Sequence, residues 1–151
     1  MSKILLKINV PLRFNRNKYK LKWWYINLNN LIQASKNTTF RNQLKQRYSD
    51  LIEPKLRHLK PIEGTIKIIY VIHGKDARKF DVGNVGAVLD KFFCDCLVKK
   101  GILTDDDHSI IKRVEYVFGG INREDPTADI YILRDEIAEY EGFLRRSKRS
   151  P

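Results

Sequence analysis

The stretch FDVGNVGAVLDKFFCDCLVKKG, residues 80–101, decides most of the fold. Its apolar residues recur at spacings of three and four, which is typical of an amphipathic helix with one face against a core. These apolar positions are Val85, Val88, Leu89, Phe92, Phe93, Cys96 and Leu97. Asp81 or Asn84 suits the N-terminus, where a side-chain oxygen accepts hydrogen bonds from free backbone amides. Gly101 suits the C-terminal cap, so the stretch predicts one well-defined helix.

Strands and further helices are predicted on both sides of this helix. Alternating or continuous apolar runs bounded by turn residues predict strands. They span residues 3–10, 64–73, 110–118 and 128–133. The last two are expected to pair as a hairpin through a turn that begins at Gly119. Helices are predicted over residues 38–58, with an interruption near Pro54, and over residues 134–145, so the fold class is α+β.

Length and composition indicate a single domain. The chain has 151 residues, of which 42% are hydrophobic, and the domain is predicted over residues 1–145. Residues 146–151 are basic and are expected to form a disordered tail. Cys94 and Cys96 would lie on different faces of one helix and are poor disulfide partners. With no signal-peptide pattern and no stretch that could span a bilayer, a cytoplasmic location and no membrane partner are expected.

Acidic and basic residues are segregated along the chain. Residues 81–107 contain six aspartates, no glutamate and three lysines, a net charge of −3. The remainder of the chain carries a net charge of +14. A basic surface attracts a phosphate backbone, and clustered carboxylates can hold Mg²⁺ against a phosphate. The pattern favours a metal-dependent nuclease, although clustered aspartates in loops also occur as caps and turns.

The N-terminal part of the chain combines positive charge with aromatic residues. Its segment RFNRNKYKLKWWYINLNN, residues 13–30, places Trp23, Trp24 and Tyr25 beside several cations. This combination suits backbone contacts together with base stacking. Alternatively, the aromatic rings pack in the core and the lysines are only solvated. The residues expected to contact a DNA backbone are Arg13, Arg16, Lys18, Lys20, Arg78 and Lys79.

Two other motifs are rejected. The segment from Gly83 to Gly86 has too little glycine, and no Lys-Ser/Thr pair, for a phosphate-binding loop. Cys94, Cys96 and His108 do not have a convincing zinc-ligand spacing. No small-molecule cofactor is therefore expected.

The acidic window also resembles a known family. The stretch FDVGNVGAVLDKFFCDCLVKKGILTDDDHSII, residues 80–111, is similar to the signature of the RusA family of Holliday junction resolvases. The family pattern is D-x-D-N, then a helix carrying a lysine and a D-x-L, then a glycine turn and D-D. The segment VEYVFGGINREDPTADIYI, residues 114–132, resembles the closing hairpin of the family. The resemblance implies a small mixed sheet packed by helices, a homodimer, and a Mg²⁺-dependent endonuclease that resolves branched DNA, with Mn²⁺ able to substitute.

The resemblance also implies site residues. The first aspartate of the motif corresponds to Asp81 and the asparagine to Asn84. The catalytic lysine corresponds to Lys91, and the essential aspartate of the D-D pair corresponds to Asp106, with Asp105 beside it.

The second aspartate of D-x-D-N is replaced by Gly83 in this chain. Asp90 is the candidate that could replace this ligand, so the predicted metal-binding set is Asp81, Asp90, Asp105 and Asp106. Asp81, Asp90, Asp106 and Lys91 are the predicted catalytic residues. Two alternatives stay open: a DNA-binding protein of the same fold without nuclease activity, and an interaction protein that targets a host factor through its basic face.

Overall fold

A computed structural model describes residues 3–16, 19–76, 81–106, 109–135 and 144–149 of the chain. The strands are β1 Ile4–Pro11, β2 Arg13–Asn15, β3 Trp23–Tyr25, β4 Ile66–Gly74, β5 Ile111–Ile121 and β6 Thr127–Arg134. The helices are α1 Leu28–Ala34, α2 Thr38–Ile52 and α3 Val82–Lys99, and a 3₁₀ helix, Glu53–Leu56, follows α2 directly. Residues 144–149 are also helical.

Four strands form one mixed sheet in the order β1-β6-β4-β5. β6 pairs antiparallel with both β1 and β4, while β4 and β5 are parallel. Parallel neighbours require a crossover connection, and α3 provides it. β2 and β3 pair separately as a short antiparallel ribbon. The predicted α+β class with a small mixed sheet is therefore confirmed.

The predicted hairpin between β5 and β6 is wrong, because β4 lies between these two strands. Burial explains the difference. β4 alternates fully buried residues with half-buried ones and takes the centre of the sheet, whereas β5 is largely exposed and forms an edge. The segment after β5 crosses the end of β4, where the amide of Asn122 donates to the carbonyl of Gly74 at 2.7 Å.

The two long helices begin and end close to the predicted positions. α3 starts after Asp81, which caps it, and Gly101 follows its end with a φ of 72°. Glycine adopts this left-handed conformation without steric cost. α2 ends at Ile52, and Pro54 lies in the first turn of the 3₁₀ helix, as the interruption near that proline predicted.

The core lies between the helices and one face of the sheet. Tyr48 of α2 stacks on Phe92 of α3 with ring centroids 4.7 Å apart, and it meets the edge of Phe14 at 4.8 Å. These contacts join the short ribbon to the two helices. Cys94 and Cys96 are both buried free thiols, in agreement with the prediction that they form no disulfide.

The C-terminal part differs from its prediction where it is described. Residues 144–149 are helical and exposed, whereas a disordered tail was predicted from residue 146. The prediction of disorder rested on the basic composition of this segment. Arginine and lysine are nevertheless good helix formers, so a basic segment can be helical. The helix predicted over residues 134–145 lies largely outside the described residues. Within the described ranges, no helix has both the length and the apolar character needed to cross a membrane.

Candidate nucleic-acid interface

A pocket lined by both polar and apolar residues lies where β4 ends and α3 begins. We call it the carboxylate pocket; its volume is about 570 Å³, and its lining includes Asn27, Asn29, Lys75, Asp76, Asp81 and Asn84. Asp76 follows the last residue of β4 by two positions, and Asp81 caps α3. Side chains just beyond the carboxyl end of a strand lie at the edge of the sheet where α/β units commonly bind ligands. The fold thus brings the two acidic residues Asp76 and Asp81 to one pocket.

Asp81 is oriented by its capping role. Its Oδ1 accepts a hydrogen bond from the backbone amide of Gly83 at 2.8 Å. The backbone amide of Asn84 donates to the carbonyl of Asp81 at 3.0 Å, which closes the first turn of α3. The carboxylate remains exposed. Asp81 therefore presents a fixed carboxylate to the pocket.

A second cavity lies between β3, α1 and the start of α2. We call it the aromatic pocket; its volume is about 710 Å³. Its rings are Trp23, Trp24, Tyr25 and Phe40, its amides are Asn30, Gln33, Asn37 and Gln43, and its cation is Arg16. Tyr25 and Asn30 also line the carboxylate pocket. The two pockets therefore share a wall.

Cations lie over the aromatic rings along this surface. The guanidinium of Arg13 is 3.9 Å from the ring centroid of Trp23, and that of Arg16 is 4.2 Å from the centroid of Phe40. The ammonium of Lys75 is 4.1 Å from the centroid of Tyr25. Such contacts hold positive charge against the ring faces. Positive charge therefore follows the rings across both pockets.

The alternative that the aromatic rings pack in the core holds for one of the two tryptophans, and base stacking stays a prediction. Trp24 is 6% exposed and belongs to the core, whereas Trp23 is 37% exposed. Among the predicted DNA contacts, Arg13 and Arg16 flank the aromatic pocket, and Lys20 is exposed between β2 and β3. Lys18, Arg78 and Lys79 lie outside the described residues.

The other predicted site residues lie along and beyond α3, away from Asp81. Asp90 is nine residues after Asp81, which corresponds to about 13 Å along a helix axis. Its Oδ1 accepts a hydrogen bond from the hydroxyl of Tyr70 at 2.6 Å and from the thiol of Cys94 at 3.4 Å. Lys91 is exposed on the same helix. Asp90 therefore belongs to the interface between α3 and the sheet.

Asp105 and Asp106 lie in the exposed loop after α3. The backbone amide of Asp106 donates to Oδ1 of Asp105 at 2.8 Å. Desolvation and the hydrogen bond with the side chain of Asp105 raise the pKa of Asp106. Burial first, and then the charges of Asp90 and Asp106, raise the pKa of the Cys94 thiol. The charges of Asp90 and Asp106 thus both affect Cys94 on α3. Neither aspartate lines the carboxylate pocket.

The donor set of the carboxylate pocket fits a hard cation in kind. Asp76, Asp81 and Asn84 offer two carboxylates and an amide oxygen, and Mg²⁺ prefers oxygen ligands and retains several waters. In the part of the chain that the structure describes, however, no three His, Cys, Asp or Glu side chains lie close enough to hold an ion. The predicted convergence of Asp81 with Asp90, Asp105 and Asp106 is therefore not seen among these residues.

Sequence reasoning missed Asp76. The segment KDARKF, residues 75–80, is basic overall, which obscures its single aspartate. A signal was nevertheless present, because Asp76 comes directly after a strand that leads into a helix. Carboxyl ends of strands in such units are common positions for binding residues.

Comparison with known proteins found no protein-family model that matches this chain and no curated protein that matches it significantly. The resemblance to the RusA family therefore stays a prediction from the motif residues. At Gly83, where the family motif has an aspartate, an added Cβ would lie 3.1 Å from Oδ1 of Asp81. A side chain at this position would adjoin the carboxylate that caps α3.

Proposed function

We propose that this chain is a Mg²⁺-dependent endonuclease that acts on branched DNA and cleaves at the carboxylate pocket. The observation that carries this proposal is the shared wall between an acidic pocket and an aromatic pocket with cations over its rings. The acidic pocket suits a cation and a phosphate, and the aromatic pocket suits the adjoining nucleotides. In a homodimer, two such pockets would face two strands of one junction.

The residues of the pocket have separable roles in this proposal. Bound Mg²⁺ would activate a water molecule and offset the charge that develops on the phosphate. Asp76, Asp81 and Asn84 would hold the cation, and the capping hydrogen bond from Gly83 keeps Asp81 oriented. The ammonium of Lys75, held over Tyr25, would attract the phosphate and stabilise its negative charge.

Cleavage of a labelled four-way junction tests the proposal, with Mg²⁺, Mn²⁺ or EDTA and with an equal-length duplex as the substrate control. We expect paired, metal-dependent cuts in the junction alone. Asp76→Asn and Asp81→Asn should each reduce the rate by at least about 100-fold, since removal of one charge-stabilising group commonly costs that much. Asp106→Asn is the matched control, because it removes an exposed aspartate outside the pocket.

The outcomes separate the two possible locations of the chemistry. Loss of cutting in the Asp76 and Asp81 variants, with Asp106→Asn active, supports the carboxylate pocket. Loss in Asp106→Asn alone would move the site to the loop after α3, as the family motif predicts. No metal-dependent cutting of any branched substrate by the unaltered protein would overturn the nuclease proposal.

A second candidate function is branched-DNA binding without cleavage. Gly83 favours it, because this residue stands where the family motif carries a carboxylate. Gly83→Asp would place a third carboxylate beside Asp81, and Gly83→Ala controls for the added Cβ. If only the metal site is incomplete, Gly83→Asp should gain metal-dependent cutting and Gly83→Ala should not. Junction binding without cutting in all three proteins would favour the binding function.

A further inference from the structure

The aromatic pocket has a lining that differs from that of a phosphate site. Four of its residues carry neutral amides, four carry aromatic rings, and Arg16 is the single cation among the lining residues. Side-chain amides can contact a phosphate as well as a base, so the four rings and the single cation decide between these two ligands. A nucleobase is planar and uncharged and has hydrogen-bonding edges. Aromatic rings can stack on it, and side-chain amides can hydrogen-bond with its edge. The lining therefore favours a nucleobase over a phosphate.

Trp23 offers a stacking surface to this pocket. Arg13 covers the ring of Trp23 at 3.9 Å but does not line the pocket, whereas Trp23 lines it and is 37% exposed. Part of the indole surface therefore faces the cavity. A base can stack on such a surface whatever its identity, because every base has a π-face.

The amides can engage the edge of a base. The side chains of Gln33 and Gln43 are exposed and make no hydrogen bond with the described residues. Oδ1 of Asn37 accepts from the amide of Phe40 at 3.1 Å, which leaves its NH₂ group as a donor. A side-chain amide both donates and accepts, as the edges of bases do.

We propose that the aromatic pocket takes one unpaired nucleobase of a single-stranded DNA segment. The base would stack on Trp23 and hydrogen-bond with Gln33 and Gln43, and Arg16 would meet its phosphate. Only an unpaired base can enter, which gives a physical basis for preferring branched over duplex DNA. Through the wall formed by Tyr25 and Asn30, the occupied pocket would set which phosphodiester reaches the carboxylate pocket. This proposal rests on the proposed DNA binding but not on cleavage.

Tryptophan fluorescence reports on this pocket directly, because Trp23 and Trp24 are the two tryptophans of the chain and both line it. The probes are an oligothymidylate and an abasic oligomer with the same number of phosphates. We expect the oligothymidylate to quench the fluorescence and to bind about 5- to 100-fold more tightly, as stacking of one base provides. Equal binding of the abasic oligomer would overturn the proposal.

Two sets of variants test the contacts. Trp23→Ala should weaken oligothymidylate binding by about 5- to 100-fold, the loss expected for one stacked base, and should leave abasic binding unchanged. Trp23→Phe should retain most of the affinity, with Trp24 as the reporter in both variants. If Trp23→Ala fails to fold, the double variant Gln33→Ala with Gln43→Ala decides, because both residues are exposed on helices. It should weaken binding several-fold, whereas Gln46→Ala, on α2 outside the pocket, should not.

The nucleobase-binding proposal and the nuclease proposal can fail independently of each other. Base-dependent quenching without junction cleavage would support the pocket and overturn only the nuclease. Junction cleavage with equal binding of both oligomers would support the nuclease and overturn the pocket. Unchanged oligothymidylate binding in the folded Trp23 and glutamine variants would also overturn the nucleobase-binding proposal.

Discussion

Gly86 decides how closely α3 approaches the sheet. An added Cβ at this position would overlap the ring of Tyr116 on β5. Gly86→Ala should therefore lower the free energy of unfolding by about 1–3 kcal/mol, as overpacking does, although alanine is the better helix former. Urea denaturation measures this change. The loss should be much smaller in a Tyr116→Ala background, and an equal loss in both backgrounds would contradict the contact.

Asp90 acts first as a structural acceptor in this fold. Tyr70 is fully buried, its hydroxyl donates to Asp90, and burial first raises the pKa of Tyr70. Asp90→Ala should lower the free energy of unfolding by about 1–3 kcal/mol, because it leaves this hydroxyl without its acceptor. Asp90→Asn retains an acceptor oxygen and should cost less in the same denaturation assay. If Asp90→Asn instead abolished cleavage without changing stability, Asp90 would be the ligand that replaces the motif aspartate absent at Gly83.

At the scale of elements, local patterns predicted most of the structure. β4 and α3 lie within two residues of their predicted bounds, because alternation and helical periodicity are properties of a single segment. The pairing of β5 was not predictable in this way. β5 pairs with β4 because β4 is buried at the centre of the sheet. This burial depends on tertiary contacts, which no local sequence pattern contains.

The missed elements explain the missed parts of the site. β2, β3 and α1 have three, three and seven residues, which is too short for periodicity to emerge. β3 and α1 carry most of the residues that line the aromatic pocket. Its rings were visible in the sequence as a group, but their arrangement around a cavity depends on how the ribbon packs against α2.

A polar bridge across three strands should make stability depend on pH. Desolvation raises the pKa of Asp129. Hydrogen bonds with Asn9 at 2.9 Å and His73 at 3.3 Å lower it, as do the charges of His73 and Lys7. The net effect is a pKa below the ordinary value of an aspartate. A folded-state pKa below the unfolded value means that the charged carboxylate stabilises the fold above the unfolded pKa. This contribution is lost as the pH falls through the folded pKa.

Asp129→Asn should therefore be less stable than the unaltered protein near neutral pH. The difference should shrink as the pH falls below the pKa of an unfolded aspartate, about 3.9, and should be lost as the pH passes through the lower folded pKa. Urea midpoints measured from about pH 7 to about pH 2.5 test this prediction. A difference that stayed constant over this range would show that the amide substitution acts through packing instead of charge.

At the scale of the whole molecule, positive charge and aromatic surface contribute to DNA binding in different ways. The chain carries a net charge of +11, so release of counterions should make binding strongly dependent on salt. Stacking releases no counterions. Salt titration can therefore assign each residue of the two pockets to one contribution or the other.

Arg16 and Trp23 should separate in such a titration. Arg16→Met removes a charge but keeps an unbranched apolar side chain over Phe40, so it should flatten the dependence of log K on log salt by about 0.7–0.9. Trp23→Ala should weaken binding at every salt concentration and leave the slope unchanged. Fluorescence anisotropy of a labelled junction between about 50 and 200 mM salt measures both effects. If Trp23→Ala flattened the slope as Arg16→Met does, Trp23 would act by positioning Arg13, and base stacking would not explain its effect.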